Sequence, residues 1–107
     1  MTTTIEQLKM VTENPLVFLQ TAMIHQGKTP LTDREFLVGN LCAKGYTRNQ
    51  IKTETGFNDD QIRNIFRRIK HKTFLGASDL PRHFHETVSD ILENSAPVVE
   101  FEEENEK

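Results

Sequence analysis

The chain has 107 residues, of which 36% are hydrophobic and 27% are charged, and its formal net charge is −3. This length accommodates one domain, and a lone cysteine, Cys42, excludes an intramolecular disulfide framework. No run of 18 apolar residues is present to span a membrane, and the first residues lack the basic and apolar stretches of a secretion signal. We therefore expect a small cytoplasmic protein that does not enter a membrane. The helical patterns described next along the chain predict an all-α fold.

The first 30 residues predict a short N-terminal helical arm. A helical stripe beginning at Ile5 is interrupted by Asn14 and Pro15, and Asn14 is a suitable cap for a new helix with Pro15 in its first turn. Apolar residues then recur at helical spacing until Gly27 ends the segment.

Three helix starts follow in the middle of the chain. Thr32-Asp-Arg-Glu35 is a capping box, in which a hydroxyl and a carboxylate satisfy backbone N–H groups reciprocally, and Thr47-Arg-Asn-Gln50 repeats the pattern. The helix after Thr47 is only about two turns long and ends at Gly56. Asn58 then caps a longer helix.

The helix that starts at Asn58 has an apolar face and a basic face. The basic face comprises Arg63, Asn64, Arg67, Lys70 and His71. From residue 44 to residue 72, eight basic and three acidic side chains give a local charge of +5, whereas residues 93–107 carry −5. This asymmetry favours a nucleic-acid partner for the middle of the chain, although such a face can also be merely solvated.

A short helix, a tight turn and a basic helix are typical of a helix-turn-helix, whose second helix fits the major groove of double-stranded DNA. Arg63 and Arg67 are four residues apart and share one face with Asn64. Arginine donates two hydrogen bonds to guanine, and asparagine pairs with adenine. Arg63, Asn64 and Arg67 are therefore the candidate base contacts.

The last helix is expected from about residue 80 to residue 94. Its apolar stripe predicts a homodimer seam, with an intramolecular core as the alternative, and consists of Leu80, Phe84, Val88, Ile91 and Leu92. Residues 96–107 predict an acidic disordered tail. His83 and His85 point to nearly opposite sides of a helix, so no metal site is expected.

Residues 31–73 resemble the LuxR/GerE-type helix-turn-helix family, without a gap. The matching positions are Leu31-Thr-Asp-Arg-Glu35, Val38, Leu41, Ala43, Gly45, Ile51, Gly56, Ile62-Arg63-Asn64, Arg68-Ile69 and Lys72. The resemblance implies a tetrahelical DNA-binding domain over residues 31–95, whose third helix enters the major groove and whose fourth makes the dimer. It also implies phosphate contacts at Thr47, Arg48, Gln61, Lys70, His71 and Lys72.

The chain departs from that family pattern at three places. Lys52 stands where the family usually has a small alanine, and Thr55 stands where it usually has leucine. The link after Lys72 is about two residues longer than the family's.

The leading hypothesis is a sequence-specific transcription regulator that binds an inverted repeat as a dimer, with no catalytic residues and no cofactor. The alternative is a protein-interaction module, an anti-activator or adaptor that binds another regulator or RNA polymerase. This alternative is favoured by the overall negative charge and by Lys52, Thr55 and the acidic pair Asp59-Asp60. A third, weaker option is a σ-factor region, because the helix-turn-helix of such a region resembles this one.

Overall fold

Six α-helices make up most of residues 4–95, the part of the chain that the computed structural model describes. They are α1 (Thr4–Glu13), α2 (Val17–His25), α3 (Asp33–Ala43), α4 (Arg48–Thr55), α5 (Asp59–Thr73) and α6 (Leu80–Ser95). The all-α prediction is confirmed, and no strand interrupts the helices of this part. None of these helices is both long enough and apolar enough to cross a membrane. The predicted acidic tail lies outside the described residues.

The capping boxes form as the sequence predicts. The Glu35 N–H donates to the Thr32 hydroxyl (3.3 Å), and the Thr32 N–H donates to the Glu35 carboxylate (3.0 Å). Thr47 pairs with Gln50 at the start of α4 in the same way. Asn58 makes a third box with Gln61 at the start of α5. Each helix of the central region therefore begins at a residue fixed by its own first turn.

The start of α2 differs from the prediction, because Asn14 does not cap it. The helix begins at Val17, and its N-cap is Leu16, which makes no side-chain cap bond. The buried Leu16 N–H instead donates to the Asn40 side-chain oxygen of α3 (2.8 Å). The Asn40 amide in turn donates to the Asn14 side chain (3.3 Å). Asn40 of α3 thus supplies the hydrogen-bond acceptor at the start of α2, where no capping side chain is present.

Helix α2 and the turn before it belong to the main core, although residues 1–30 were predicted to form a separate arm. Leu16 and Met23 are buried in the same apolar cluster as Ile62 and Ile69 of α5. Gly39 permits this packing, because a Cβ added there would lie 2.6 Å from the Leu16 Cδ1 atom. The boundary predicted after residue 30 consequently divides one core.

Helix α6 packs on α1 and α3 within the same chain. Leu80 is fully buried, Ile91 is 8% exposed, and Phe84 packs partly buried against the core. The prediction that Leu80 and Ile91 line a dimer seam is therefore corrected, because their apolar surface is already covered inside the protomer. Val88 is half-buried, and Leu92 is 49% exposed.

Candidate nucleic-acid interface

A three-residue turn, Gly56 to Asn58, joins α4 to α5. Gly56 adopts a left-handed conformation (φ 77°), which glycine accepts without a Cβ clash. The Thr55 hydroxyl donates to the Ile51 carbonyl (2.7 Å) and accepts from the Phe57 N–H (3.2 Å). Thr55 thereby links the last turn of α4 to the backbone of the turn that follows it.

Lys52 also acts across the turn. Its Nζ atom lies 3.2 Å from the carboxylate of Asp59, the first residue of α5. The Lys52 side chain is only 33% exposed, which fits a lysine whose methylenes lie against the protein while its ammonium reaches the carboxylate. The polar residue in place of a small one therefore ties α4 to α5 and neutralises one of the two acids at the start of α5.

The solvent-facing surface of α5, called here the outer face, carries all three predicted base contacts. Ile62, Ile65 and Ile69 are buried on the opposite side of the helix. The outer face consists of Arg63, Asn64, Arg67, Arg68, Lys70 and His71, all of which are exposed. The structure thus brings the predicted base contacts together with Lys70 and His71, two of the predicted phosphate contacts.

Arg63 is engaged by a neighbouring acid. Its guanidinium lies 3.1 Å from the Asp60 carboxylate, and the two side chains are 61% and 80% exposed. Exposed ion pairs of this kind contribute about 0–1 kcal/mol, because water and salt screen both charges. Arg63 can therefore exchange this partner for another acceptor at small cost.

Lys72 is not placed to contact phosphate, which corrects the prediction made for it. Its Nζ atom lies 2.6 Å from the Glu35 carboxylate and 3.1 Å from the Pro30 carbonyl oxygen, and its side chain is 18% exposed. The Glu35 side chain is 2% exposed. This buried ion pair joins the last turn of α5 to the first turn of α3.

The environment of Glu35 keeps its carboxyl group ionised. Burial alone would raise the pKa, but hydrogen bonds from Lys72 and from the Thr32 backbone, together with the charges of Lys72 and Arg68, outweigh it. The net result is a pKa below the ordinary carboxyl value. The capping box of α3 and the ion pair to α5 thus share one carboxylate.

The remaining predicted phosphate contacts lie at helix starts. Thr47 and Arg48 begin α4, beside a cavity of about 350 Å³ that also reaches Cys42 and Tyr46. The Gln61 side chain is exposed while its oxygen accepts from the Asn58 N–H (2.9 Å).

The Cys42 thiol is buried, donates to the Ala77 carbonyl (3.3 Å), and has a raised pKa because of burial.

Two exposed arginines, Arg68 on the outer face and Arg34 beside it, were not among the predicted contacts. Arg68 lies one turn after Asn64 on α5, a spacing visible in the sequence. Arg34 lies on α3, and its guanidinium carbon is 5.3 Å from the centroid of the Phe57 ring. Only the packing of α3 beside α5 brings Arg34 to this surface.

In residues 4–95, no three His, Cys, Asp or Glu side chains are grouped to hold a metal ion.

The comparisons with known proteins add no relative. No family model matches the chain, and neither a curated protein nor a solved structure is significantly similar to it. The resemblance to the LuxR/GerE-type family stays a prediction from the residues.

Proposed function

We propose that this chain is a cytoplasmic, sequence-specific regulator that binds double-stranded DNA, with α5 lying in the major groove in the manner of a LuxR/GerE-type helix-turn-helix. The observation that carries the proposal is the outer face of α5. It presents Arg63, Asn64 and Arg67 to solvent on one surface. These are the side chains suited to hydrogen-bond guanine and adenine.

The electrostatics of α5 support this proposal despite the acidic start of the helix. Asp59 is held by Lys52, and Asp60 is held by Arg63. Arg67 and Lys70 make no salt bridge with the carboxylates of residues 4–95. The basic charge of the outer face is therefore concentrated in the middle and last turns of α5.

We further propose that two copies bind an inverted repeat, since two-fold proteins read two-fold sites. Leu92 is the exposed apolar residue of the predicted seam. A surface that includes Leu92, and excludes the buried Leu80 and Ile91, is the remaining place for α6 to meet a second copy.

One observation favours the alternative, an adaptor that binds another regulator or RNA polymerase. Phe74 follows α5, is 79% exposed, and adopts a left-handed conformation (φ 64°) that is unfavourable for a residue with a Cβ. An exposed aromatic side chain is a frequent anchor of protein interfaces. The adaptor would use this end of α5 instead of the outer face.

A titration into random duplex DNA at two salt concentrations separates the two functions. A DNA-binding regulator must show an affinity that falls as salt rises, because bound cationic side chains release counterions. On a selected site, Arg63→Ala and Arg67→Ala should each cost about 1–3 kcal/mol and relax the preference at one base pair. Arg82→Ala is the matched control, since Arg82 is exposed on α6. Binding without salt dependence, or equal affinity of all four proteins, would contradict the proposal.

A further inference from the structure

A polar notch lies between the start of α3 and the outer face of α5. Its walls include Arg34 and Glu35 from α3, and Gln61, Asn64 and Arg68 from α5. The notch encloses about 230 Å³ and is lined more by polar than by apolar surface. It therefore borders the proposed DNA-reading surface and shares Asn64 with the predicted base contacts, whereas neither Arg34 nor Arg68 was a predicted contact.

The notch is positively charged even though it contains an acid. The Glu35 charge is balanced by Lys72, whose Nζ atom is 2.6 Å away. Arg34 and Arg68 form no ion pair with any carboxylate of the described chain. Asp33, the acid next to Arg34 in sequence, lines a different cavity on the α1 side. Arg68 acts on Glu35 only through its charge, which helps to lower that pKa, so the notch keeps two arginines beside a carboxylate that Lys72 already balances.

The donors of the notch are held in place by the fold. The Arg34 guanidinium lies over the Phe57 ring of the turn, 5.3 Å from its centroid. The Gln61 oxygen is occupied by the Asn58 N–H (2.9 Å), which leaves its amide NH₂ group to donate elsewhere. Two arginines and two amide side chains, from two helices, therefore line one notch.

We propose that this notch binds one backbone phosphate of duplex DNA and thereby sets the tilt of α5 in the groove, an inference that rests on the proposed function. Guanidinium groups match the paired oxygens of a phosphate. Phosphate contacts fix the register of a protein on the duplex without reading sequence. Because Arg34 and Arg68 come from different helices, one phosphate held by both orients α5 relative to the strand. Lys72 contributes by neutralising Glu35, not by touching the DNA.

The test compares Arg34→Met and Arg68→Met with Arg82→Met, which removes an equal charge from an exposed position of α6, where Arg82 pairs with Asp79. For each notch variant, affinity should fall about equally on selected and random duplexes. The slope of log affinity against log salt should decrease in each, and by about 0.9 in the double variant, which leaves that phosphate without a cation. The control should keep the parental slope. Far-UV circular dichroism checks that every variant is folded. If the parent binds DNA and the notch variants keep its slope, the notch proposal is wrong and the proposed function survives.

A second measurement does not depend on DNA binding. Inorganic phosphate is titrated into the isotope-labelled protein, and the side-chain Nε–Hε resonances of Arg34 and Arg68 are followed by NMR. We expect both to shift in a saturable way, while the Arg82 resonance does not. A saturable shift with no DNA binding would support the anion site and overturn the proposed function. If the protein shows neither the NMR shift nor DNA binding, both proposals are overturned.

Discussion

Lys72→Met is the sharpest test of how α5 is held, because it leaves the buried Glu35 carboxylate without its cation. Breaking a fully buried pair by removing one partner costs about 3–5 kcal/mol. Glu35 is 2% exposed, but Lys72 is 18% exposed, so water already screens part of this interaction. We therefore expect the free energy of unfolding to fall by about 2–3 kcal/mol.

Protonation of Glu35 sets an upper limit to the part of that loss that comes from leaving the carboxylate unpaired. An ordinary glutamate has a pKa of about 4.3, and each unit is worth about 1.36 kcal/mol, so neutralising the carboxylate near pH 7 costs at most about 3.7 kcal/mol. For a domain of this size, 1 kcal/mol shifts the midpoint of thermal unfolding by about 4–8 °C. The expected decrease in Tm is therefore on the order of 10–20 °C.

The stability difference between the variant and the parent should change with pH in a definite direction. In the parent, the pKa of Glu35 is lowered, so the pair stabilises the fold above the ordinary carboxyl pKa and is lost as pH falls through the lowered value. Without Lys72, burial dominates and raises that pKa. The variant then gains stability relative to the parent as pH falls from about 7 toward about 4.

Urea unfolding followed by far-UV circular dichroism, near pH 7 and near pH 5, measures both effects. Lys70→Met is the matched control, since Lys70 is exposed on the same helix and its loss should change stability by no more than about 0.5 kcal/mol. A double variant, Glu35→Gln with Lys72→Met, should recover most of the loss because the amide oxygen can still cap α3. If Lys72→Met matches Lys70→Met at both pH values, the reasoning about this pair is refuted.

Two further predictions follow from buried and exposed positions. Asn40→Ala should lower the free energy of unfolding by about 1–3 kcal/mol, because the buried Leu16 N–H loses its acceptor, and a loss below about 0.5 kcal/mol in urea unfolding would contradict this. Leu92→Glu should convert the proposed dimer to monomers in sedimentation equilibrium, whereas Ser89→Glu, at an exposed position of the same helix, should not. A parent that is already monomeric at high micromolar concentration would refute the second prediction.

The features that the sequence predicts correctly are those fixed by a few adjacent residues. A capping box is complete within four residues, so Thr32, Thr47 and Asn58 identify the helix starts without any knowledge of the fold. The buried face of α5 follows from helical spacing alone, and its exposed face follows with it. The predicted base contacts are grouped for that reason.

The features that the sequence does not predict depend on distant partners. Asn40 accepts from Leu16, 24 residues earlier, and Lys72 pairs with Glu35, 37 residues earlier. Lys72 therefore resembles any other basic residue at the end of a basic helix until α3 is placed beside it. An apolar stripe likewise shows that α6 has a face to cover, but not which surface covers it, and here α1 and α3 bury Leu80 and Ile91.

Helix α5 is fastened at both ends, by Asp59 to Lys52 and by Lys72 to Glu35. If α5 reads DNA as we propose, its order before contact means that little conformational entropy is lost on docking, and pre-organised partners move their backbone by less than about 1 Å. The free and bound forms of α5 should then be nearly superimposable. Mismatched sequences would then be rejected mainly through shorter residence times, while association rates stay similar.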